Sequence, residues 1–419
     1  MKSKKWTLLA TSLTAMVLMA ACSQSTTTSN TNATTNSSTT TETKTNQSSY
    51  FTEKDYDTSY DESTASKIKL SGSTANVSGD GVTVSGSTVT ITKSGTYVIS
   101  GQSDGVQIKV EADKSADVHL VLKGATMTNT NAAISATSAG HVYLTLAEGT
   151  TNSLSDSSSN SDEKADAALF SKVDLTINGK GTLNVDGKKN NGIKANDTLH
   201  ITGGTYNITA VGDAFNVNDE LNITGTIMTI DAKEDGVNVD NDEDTSVGIM
   251  YLSNNTITVT AGDDGIHAAG DDGIHASGDL VIDSGTYTVK NSTEGLEGKS
   301  ITINGGDISI YSTDDGVNAA NKNAQQSEIF FTMNGGNLTV EVGQGDTDPI
   351  DSNGNITVTG GTIKMIGQTG FDFDGTATYT GGDIYLNGEK QTEIVNSMPG
   401  GGGPNGGPQG GGPAPGGQG

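Results

Sequence analysis

The feature that most constrains this chain is a pair of short segments that recur at a fixed interval. The first reads apolar-x-apolar-x-Gly-Gly-x-apolar-x-apolar. It occurs as Leu-His-Ile-Thr-Gly-Gly-Thr-Tyr-Asn-Ile at 199–208 and returns, with small variations, at 221–230, 280–289, 301–310, 331–340, 356–365 and 377–386. A looser copy covers 250–259. Apolar residues at a period of two mark short strands, and the glycine pair between them marks a corner. The second segment reads acid-Gly-apolar-polar-small, and its second position falls at 192, 214, 236, 265, 273, 295 and 316. Most of these intervals are 21 or 22 residues. Three short strands with corners in that length make one coil of a parallel β-helix, an all-β fold. The inward ladder is then Ile193, Phe215, Val237, Ile266 or Ile274, Leu296 and Val317, stacked at the strand spacing of ~4.8 Å. A leucine-rich repeat is excluded because no repeat contains a helix-length period. A β-sandwich would not hold one interval for so long.

One stretch breaks the interval. Ala-Gly-Asp-Asp-Gly-Ile-His-Ala at 261–268 is followed at once by the same eight residues at 269–276. Eight residues cannot form a coil, so one copy is looped out or the two share a turn, and the ladder position stays open between them. Two polar stretches, 241–248 and 321–327, read as loops leaving the coil. The repeats are weak over about 67–170.

Outside the repeats the chain divides by composition. Lys2, Lys4 and Lys5 precede an apolar run from Leu8 to Ala21, the layout of a signal peptide over 1–21. The run ends Leu18-Met19-Ala20-Ala21-Cys22, which resembles a bacterial lipobox, so Cys22 is expected to carry lipid. Residues 22–60 are the tether. Their first part, Ser23 to Ser49, is almost wholly Ser, Thr, Asn and Gln and cannot bury enough apolar surface to fold. Tyr50 to Asp61, acidic and tyrosine-bearing, leads into the folded body, which spans 67–391. At the far end, 399–419 holds 12 glycines and 5 of the chain's 6 prolines and reads as a disordered tail. The expected location is the extracellular face of a bacterial cell membrane, with the lipid as the only membrane contact.

Charge narrows the partners. There are 50 acids and 23 bases, giving a formal net charge of −27, and every base is lysine. Such a chain is a poor partner for nucleic acid or an anionic membrane surface. Trp6 and Cys22 are the sole residues of their types. The mature body therefore has no disulfide and no indole platform on which to stack a sugar.

The acids are not scattered. Those before the turn glycines form a column: Asp213, Asp235, Asp264 or Asp272, Glu294 and Asp315. A second acid often precedes them, as at Asp263, Asp271 and Asp314. Asp-Gly and Asn-Gly are good turn formers, and at any single turn that suffices as an explanation. A stacked column is different, because carboxylates ~5 Å apart repel by about 1 kcal/mol per pair even in water. Six to eight hard oxygens from neighbouring coils suit Ca²⁺, which would offset the repulsion. On the same strands the outward positions are Lys194, Asn216, Asn238, His267 or His275, Glu297 and Asn318. Hydrogen-bonding side chains in a row on a flat sheet can follow an extended polymer. We take Asn216, Asn238, His267, His275 and Asn318 as candidate carbohydrate contacts. A zinc site at His267 and His275 would need further nitrogen or sulfur ligands, and only His119, His141 and His200 remain.

The run Asp-Asp-Gly-Ile-His-Ala, continued by Ser277-Gly-Asp-Leu and Gly285-Thr-Tyr-Thr-Val, resembles the bacterial carbohydrate-binding domain-containing family. So do Gly95-Thr-Tyr-Val-Ile-Ser-Gly101 and Val118-His-Leu-Val-Leu-Lys-Gly124 upstream. The resemblance covers about 67–390. It implies a right-handed parallel β-helix related to pectate lyases, calcium at acidic turns, and polysaccharide binding without known catalysis. The duplicated octapeptide departs from the family pattern.

Three function classes follow. The first is a surface module that binds cellulosic or uronic-acid polysaccharide. The second is a calcium-dependent lyase. The lyases it resembles use arginine as base; this chain has none, and a substitute such as Lys194 or Lys233 is not singled out by its surroundings. The third is a structural spacer or adhesin, which needs only a stable body and a tether. The binder is the expected function.

Overall fold

The computed structural model describes residues 47–241, 247–262, 272–345 and 347–397, with side chains left aside at 47–48 and 272–275. Apart from three helical turns, Gln47–Tyr50, Glu53–Tyr56 and Gln326–Glu328, its regular elements are strands. The strands fall into three columns. Within a column each strand pairs in parallel with its equivalent one coil on, an arrangement consistent with a parallel β-helix.

Column 1 carries the acid-Gly segment and includes Ile134–Ser138, Ala167–Ser171, Asn191–Ala195, Phe215–Val217 and Val237–Val239. It continues through Val317–Ala319 and Ile350–Ser352 to Phe371–Phe373. Columns 2 and 3 are the two halves of the Gly-Gly segment, as in Leu199–Thr202 and Thr205–Ala210. Longer strands round a corner and serve two columns: Asp272–Ile282 pairs with Val237–Val239 at one end and with Ile249–Ser253 at the other. Antiparallel pairing among the described residues is confined to hairpins at the two ends.

The expected ladder is present in register. Ile193 pairs with Phe215, Phe215 with Val237, Val237 with Ile274, Ile274 with Leu296, and Leu296 with Val317. The second octapeptide copy therefore supplies the ladder; residues 263–271, most of the first copy and the start of the second, lie outside the described residues. The weakly repeating N-terminal part also coils, since Ile108 pairs with Ile134 and Ile134 with Leu169.

Inside the coils, apolar side chains from all three columns form one core in which Phe215, Leu296 and Val317 are fully buried. Each such side chain contributes about 1.5–3 kcal/mol on burial. Tyr206 and Tyr287 point inward, as their sequence parity requires, and donate their hydroxyls to the corner carbonyls of Gly203 and Ser284. Tyr379 is half-buried, and Tyr311 is exposed. Gly203 and Gly204 turn the corner with φ of 84° and 96°, where a side chain would be strained. The glycine of the acid-Gly segment has a different cause. A Cβ on Gly316 would lie 2.0 Å from Val340 Cγ1, and one on Gly295 2.3 Å from Ile310 Cγ2. These glycines are spacers that let column 1 close onto the column 3 core.

Residues 50–60, at the end of the tether, lie as a strap along the outside of column 2. Tyr50 stacks on Tyr251 with centroids 3.9 Å apart. Phe51 is buried with its ring against His200 and Tyr251. Asn222 Nδ2 donates to the Tyr50 carbonyl, and Thr202 Oγ1 and Asn178 Nδ2 donate to the Asp55 carbonyl. Lys54 lies over the Tyr143 ring and pairs with Asp117. No helix among the described residues is long and apolar enough to cross a membrane.

Candidate functional site

With column 2 covered by the strap across six coils, column 1 keeps an outward row of chemically distinctive positions. In register order the row reads Lys109, Ser135, Phe170, Lys194, Asn216, Asn238, His275, Glu297, Asn318, Asp351 and Asp372. The sequence-derived set, Lys194 through Asn318, is its middle. The row runs on into two aspartates that repeat matching missed; toward its other end Lys109 faces out, whereas Phe170 is buried with Ala132 and Ala165.

The acid column and the asparagine row are one network. Asp213, 5% exposed, accepts from Asn216 Nδ2 at 2.7 Å and Asn238 Nδ2 at 3.3 Å on one oxygen. Its other oxygen takes the backbone N–H of Asp235 at 3.0 Å. The side chain of one coil thus caps the turn of the next. The same bond recurs from the Asp213 N–H to Asn191 Oδ1 and from the Asp348 N–H to Asp315 Oδ1. Asn318 Nδ2 donates to Glu294 Oε2 at 2.9 Å. The asparagines spend their amide hydrogens on the acids, and the Oδ1 atoms of Asn238 and Asn318 are left buried without a hydrogen-bond donor, as is Asp348 Oδ1. A buried acceptor with no donor costs about 1–3 kcal/mol, which a cation or a sugar hydroxyl would relieve.

Electrostatic strain rises toward the C-terminal coils. Burial raises the carboxyl of Asp213, and Glu234 is raised by burial and then by Asp213. Glu294 is pushed up to about 8, by burial first and the Glu297 charge next. Asp351 is pushed up to about 7 by burial, then by Asp315, Asp372 and Asp348. Asp315 goes to about 6 by burial, against the hydrogen bond from Asp348 and with repulsion from Asp314, Asp348 and Asp372. Like charges brought together out of water favour the protonated form.

The sequence-derived metal residues separate on this map. Asp213 has both oxygens engaged by donors and acts as a cap. Asp235 stacks on it through its backbone. Glu294, Asp314 and Asp315 stand with Asp348, Asp351 and Asp372 in one acidic neighbourhood. Asp272 lies in register with Glu294. Asp263, Asp264, Asp271 and His267 lie outside the described residues, and His275 is placed by its backbone, between Asn238 and Glu297. Among the described residues, no three His, Cys, Asp or Glu side chains are gathered closely enough to hold a metal ion by themselves. The oxygens of the acidic neighbourhood, with Asn318 Oδ1 and Asp348 Oδ1 lacking donors, are nonetheless of the hard type that fits Ca²⁺.

A carbohydrate-binding domain-containing protein of Acetivibrio thermocellus is 35% identical over 125 residues, covering 28% of this chain. The match takes in 44% of that relative, less than half its length. A solved structure described as the polysaccharide lyase-like protein from C. thermocellum, gadolinium derivative, aligns over 76% of this chain and 99% of its own, with 24% identity and a TM-score of 0.36. Residues 85–271 and 267–384, most of the folded body, match a single protein family. The chain belongs to the family of carbohydrate-binding domain-containing proteins.

Proposed function

We propose that the protein binds polysaccharide, cellulosic or uronic-acid, along the outward face of column 1 and does not cleave it. The observation that carries this reading is the outward register row from Lys194 to Asp372, in which the amides of Asn216, Asn238 and Asn318 donate to Asp213 and Glu294 and the Oδ1 atoms of Asn238 and Asn318 face no protein donor. Family membership supports the same ligand class. The residues that fit calcium are Asp315, Asp348 and Asp351, with Glu294 and Asn318. A cation there would neutralise the column and offer a bridge to the oxygens of an acidic polymer. The coils are read as right-handed, the hand that the family resemblance implies. Cys22 is read as the lipid anchor that holds the protein at the extracellular face; fatty-acid labelling that survives Cys22→Ala would reject it.

The test is retention of the purified chain on cellulose and on polygalacturonate, in calcium and in chelator, with absorbance of unsaturated uronide followed alongside. We expect retention without product, weakened on the acidic polymer by chelation. Sustained product abolished by one lysine substitution would make the protein a lyase. No retention on any polysaccharide would leave it a spacer.

A further inference from the structure

The charge of the chain is unevenly placed. Residues 47–200 hold 13 lysines against 18 acids, whereas 201–397 hold 6 against 31. An acidic polymer meets strong repulsion over the C-terminal coils unless a cation intervenes, and far less over the N-terminal ones. A groove of about 680 Å³ lies at that less acidic end, on the outward face of column 1. Its polar lining includes Lys164, Lys172, Lys194, Asn196, Asn216 and Asn218.

The groove has a built wall. The loop 156–165 is fixed by Asp156, 1% exposed, which accepts the Lys188 N–H at 2.7 Å and Asn160 Nδ2 at 3.1 Å. Asn160 Nδ2 also donates to the Ala165 carbonyl. Ala165 packs with Ala132 and Phe170 in a small apolar cluster apart from the main core. A wall fixed before binding lowers the ordering cost of binding. Of the acids in the wall, Asp162 is turned back onto its own loop, accepting from the N–H groups of Lys164 and Ala165. Glu163 is exposed.

The lining offers two kinds of contact. Lys194 is held by Asp166 at 2.8 Å with both side chains largely buried, which spends one of its three N–H donors. Lys164 and Lys172 form no ion pair among the described residues; Lys172 feels the charge of Asp197 without contacting it, so both ammonium groups keep donors for an anion. Asn196 Oδ1 is buried and accepts no hydrogen bond, so it calls for a donor such as a hydroxyl. Lys172, Asn196 and Asn218 stand just past the ends of their column 1 strands and line the same groove as Phe170, Lys194 and Asn216. Cations beside an acceptor that needs a hydroxyl match a carboxylated sugar better than a bare anion or a neutral glycan.

We propose that this groove is a cation-independent subsite for an acidic saccharide, in which Lys164 and Lys172 take the carboxylate and Asn196 and Lys194 take ring hydroxyls. This rests on the polysaccharide-binding reading and adds a second mode beside the acidic, calcium-compatible coils. The test is calorimetric binding of galacturonate oligosaccharide to the full chain in chelator, repeated with the methyl-esterified oligosaccharide and with the Lys164→Gln/Lys172→Gln variant. The wild type is expected to bind the acid form in chelator. Esterification, high salt or the double substitution should each weaken it roughly fivefold or more, as loss of about 1 kcal/mol would. The variant, with an unchanged melting temperature, should still bind in calcium. Wild type that binds in calcium but not in chelator, or a variant equal to wild type in chelator, overturns the subsite and leaves the general reading standing. No binding under either condition overturns both.

Discussion

Asp55 holds the strap to column 2, and its removal should detach the strap while leaving the coils folded. The side chain is 2% exposed. It accepts Thr176 Oγ1 at 2.6 Å and, on its other oxygen, the N–H and hydroxyl of Thr52 at 2.7 and 2.9 Å. His200 Nδ1 lies 3.2 Å away, off the line of a hydrogen bond. Burial by itself would raise this carboxyl, but His200, Thr176 and the Thr52 backbone reverse the effect and hold it far below the usual carboxylate range. Asp55→Ala removes these bonds and strands donors in a buried site. At about 1–3 kcal/mol for each group left unsatisfied, and with His141 able to take over the Thr176 hydroxyl, the cost is about 2–4 kcal/mol. The rest of the strap's hold is modest: Phe51 burial gives about 2–3 kcal/mol and the Tyr50–Tyr251 stack about 1, against the entropy of ordering the segment. A loss of that size should open the strap locally. Hydrogen exchange would then show amides 50–60 losing protection, while the column 1 strands keep theirs and the melting temperature shifts little. The sign with pH is fixed. A depressed folded pKa gives stability that is present above the unfolded value near 3.8 and lost as pH falls below it. Acid should therefore loosen the strap, and Asp55→Asn should abolish that pH dependence. Unchanged protection at 50–60 in Asp55→Ala, or a global loss as large as the local one, would refute the argument.

Two further outcomes are expected. Because Glu294, Asp351 and Asp315 have raised folded pKa values, their contribution to the stability of the cation-free protein is fully present below about 4 and is lost as pH rises from there to about 8. Calcium should reverse that loss in thermal melts, and a chelated protein that gains stability over the same range would contradict the reading. Gly316→Ala should cost about 1–3 kcal/mol through overpacking against Val340, read as a lower denaturation midpoint.

The coil was legible in the sequence wherever its length was constant. From Ile193 to Phe215 to Val237 the step is 22 residues, and the ladder residues could be named before the structure. Upstream, Ile134 pairs with Leu169 across a 35-residue step that carries the loop 156–165, and no fixed interval survives that insertion. The same cause hid Asp351 and Asp372. Asn318 pairs with Asp351 only after the excursion through Gln326–Glu328, and Ile350-Asp351-Ser352 lacks a preceding acid-Gly pair. The strap left a weaker trace: Tyr50, Phe51 and Tyr56 were visible as aromatics at the end of a polar tether, but Tyr50 and Phe51 meet His200, Asn222 and Tyr251, far along the chain. Which octapeptide copy enters the ladder turns on connection length: Ala276 lies within the strand Asp272–Ile282 that serves both columns, whereas Ala268 precedes Ala276 by eight residues in the sequence.

The acids and the asparagines entered the sequence reading as two lists, one for metal and one for sugar, and the structure joins them. Asn216 and Asn238 are held by Asp213, and Asn318 by Glu294, so the orientation of each outward amide depends on the charge of an acid beneath it. An ionised acid accepts the amide N–H and turns Oδ1 away from itself. A protonated acid can donate instead, and the amide is then free to turn over. Glu294, with its carboxyl near 8, lies where that choice is sensitive to a neighbouring cation, whereas Asp213, held by three donors, does not depend on one. A cation that keeps Glu294 ionised would therefore also fix the Asn318 amide, so that on the proposed reading occupancy of the acidic coils and presentation of the row proposed to meet sugar would be coupled through a single hydrogen bond at 2.9 Å.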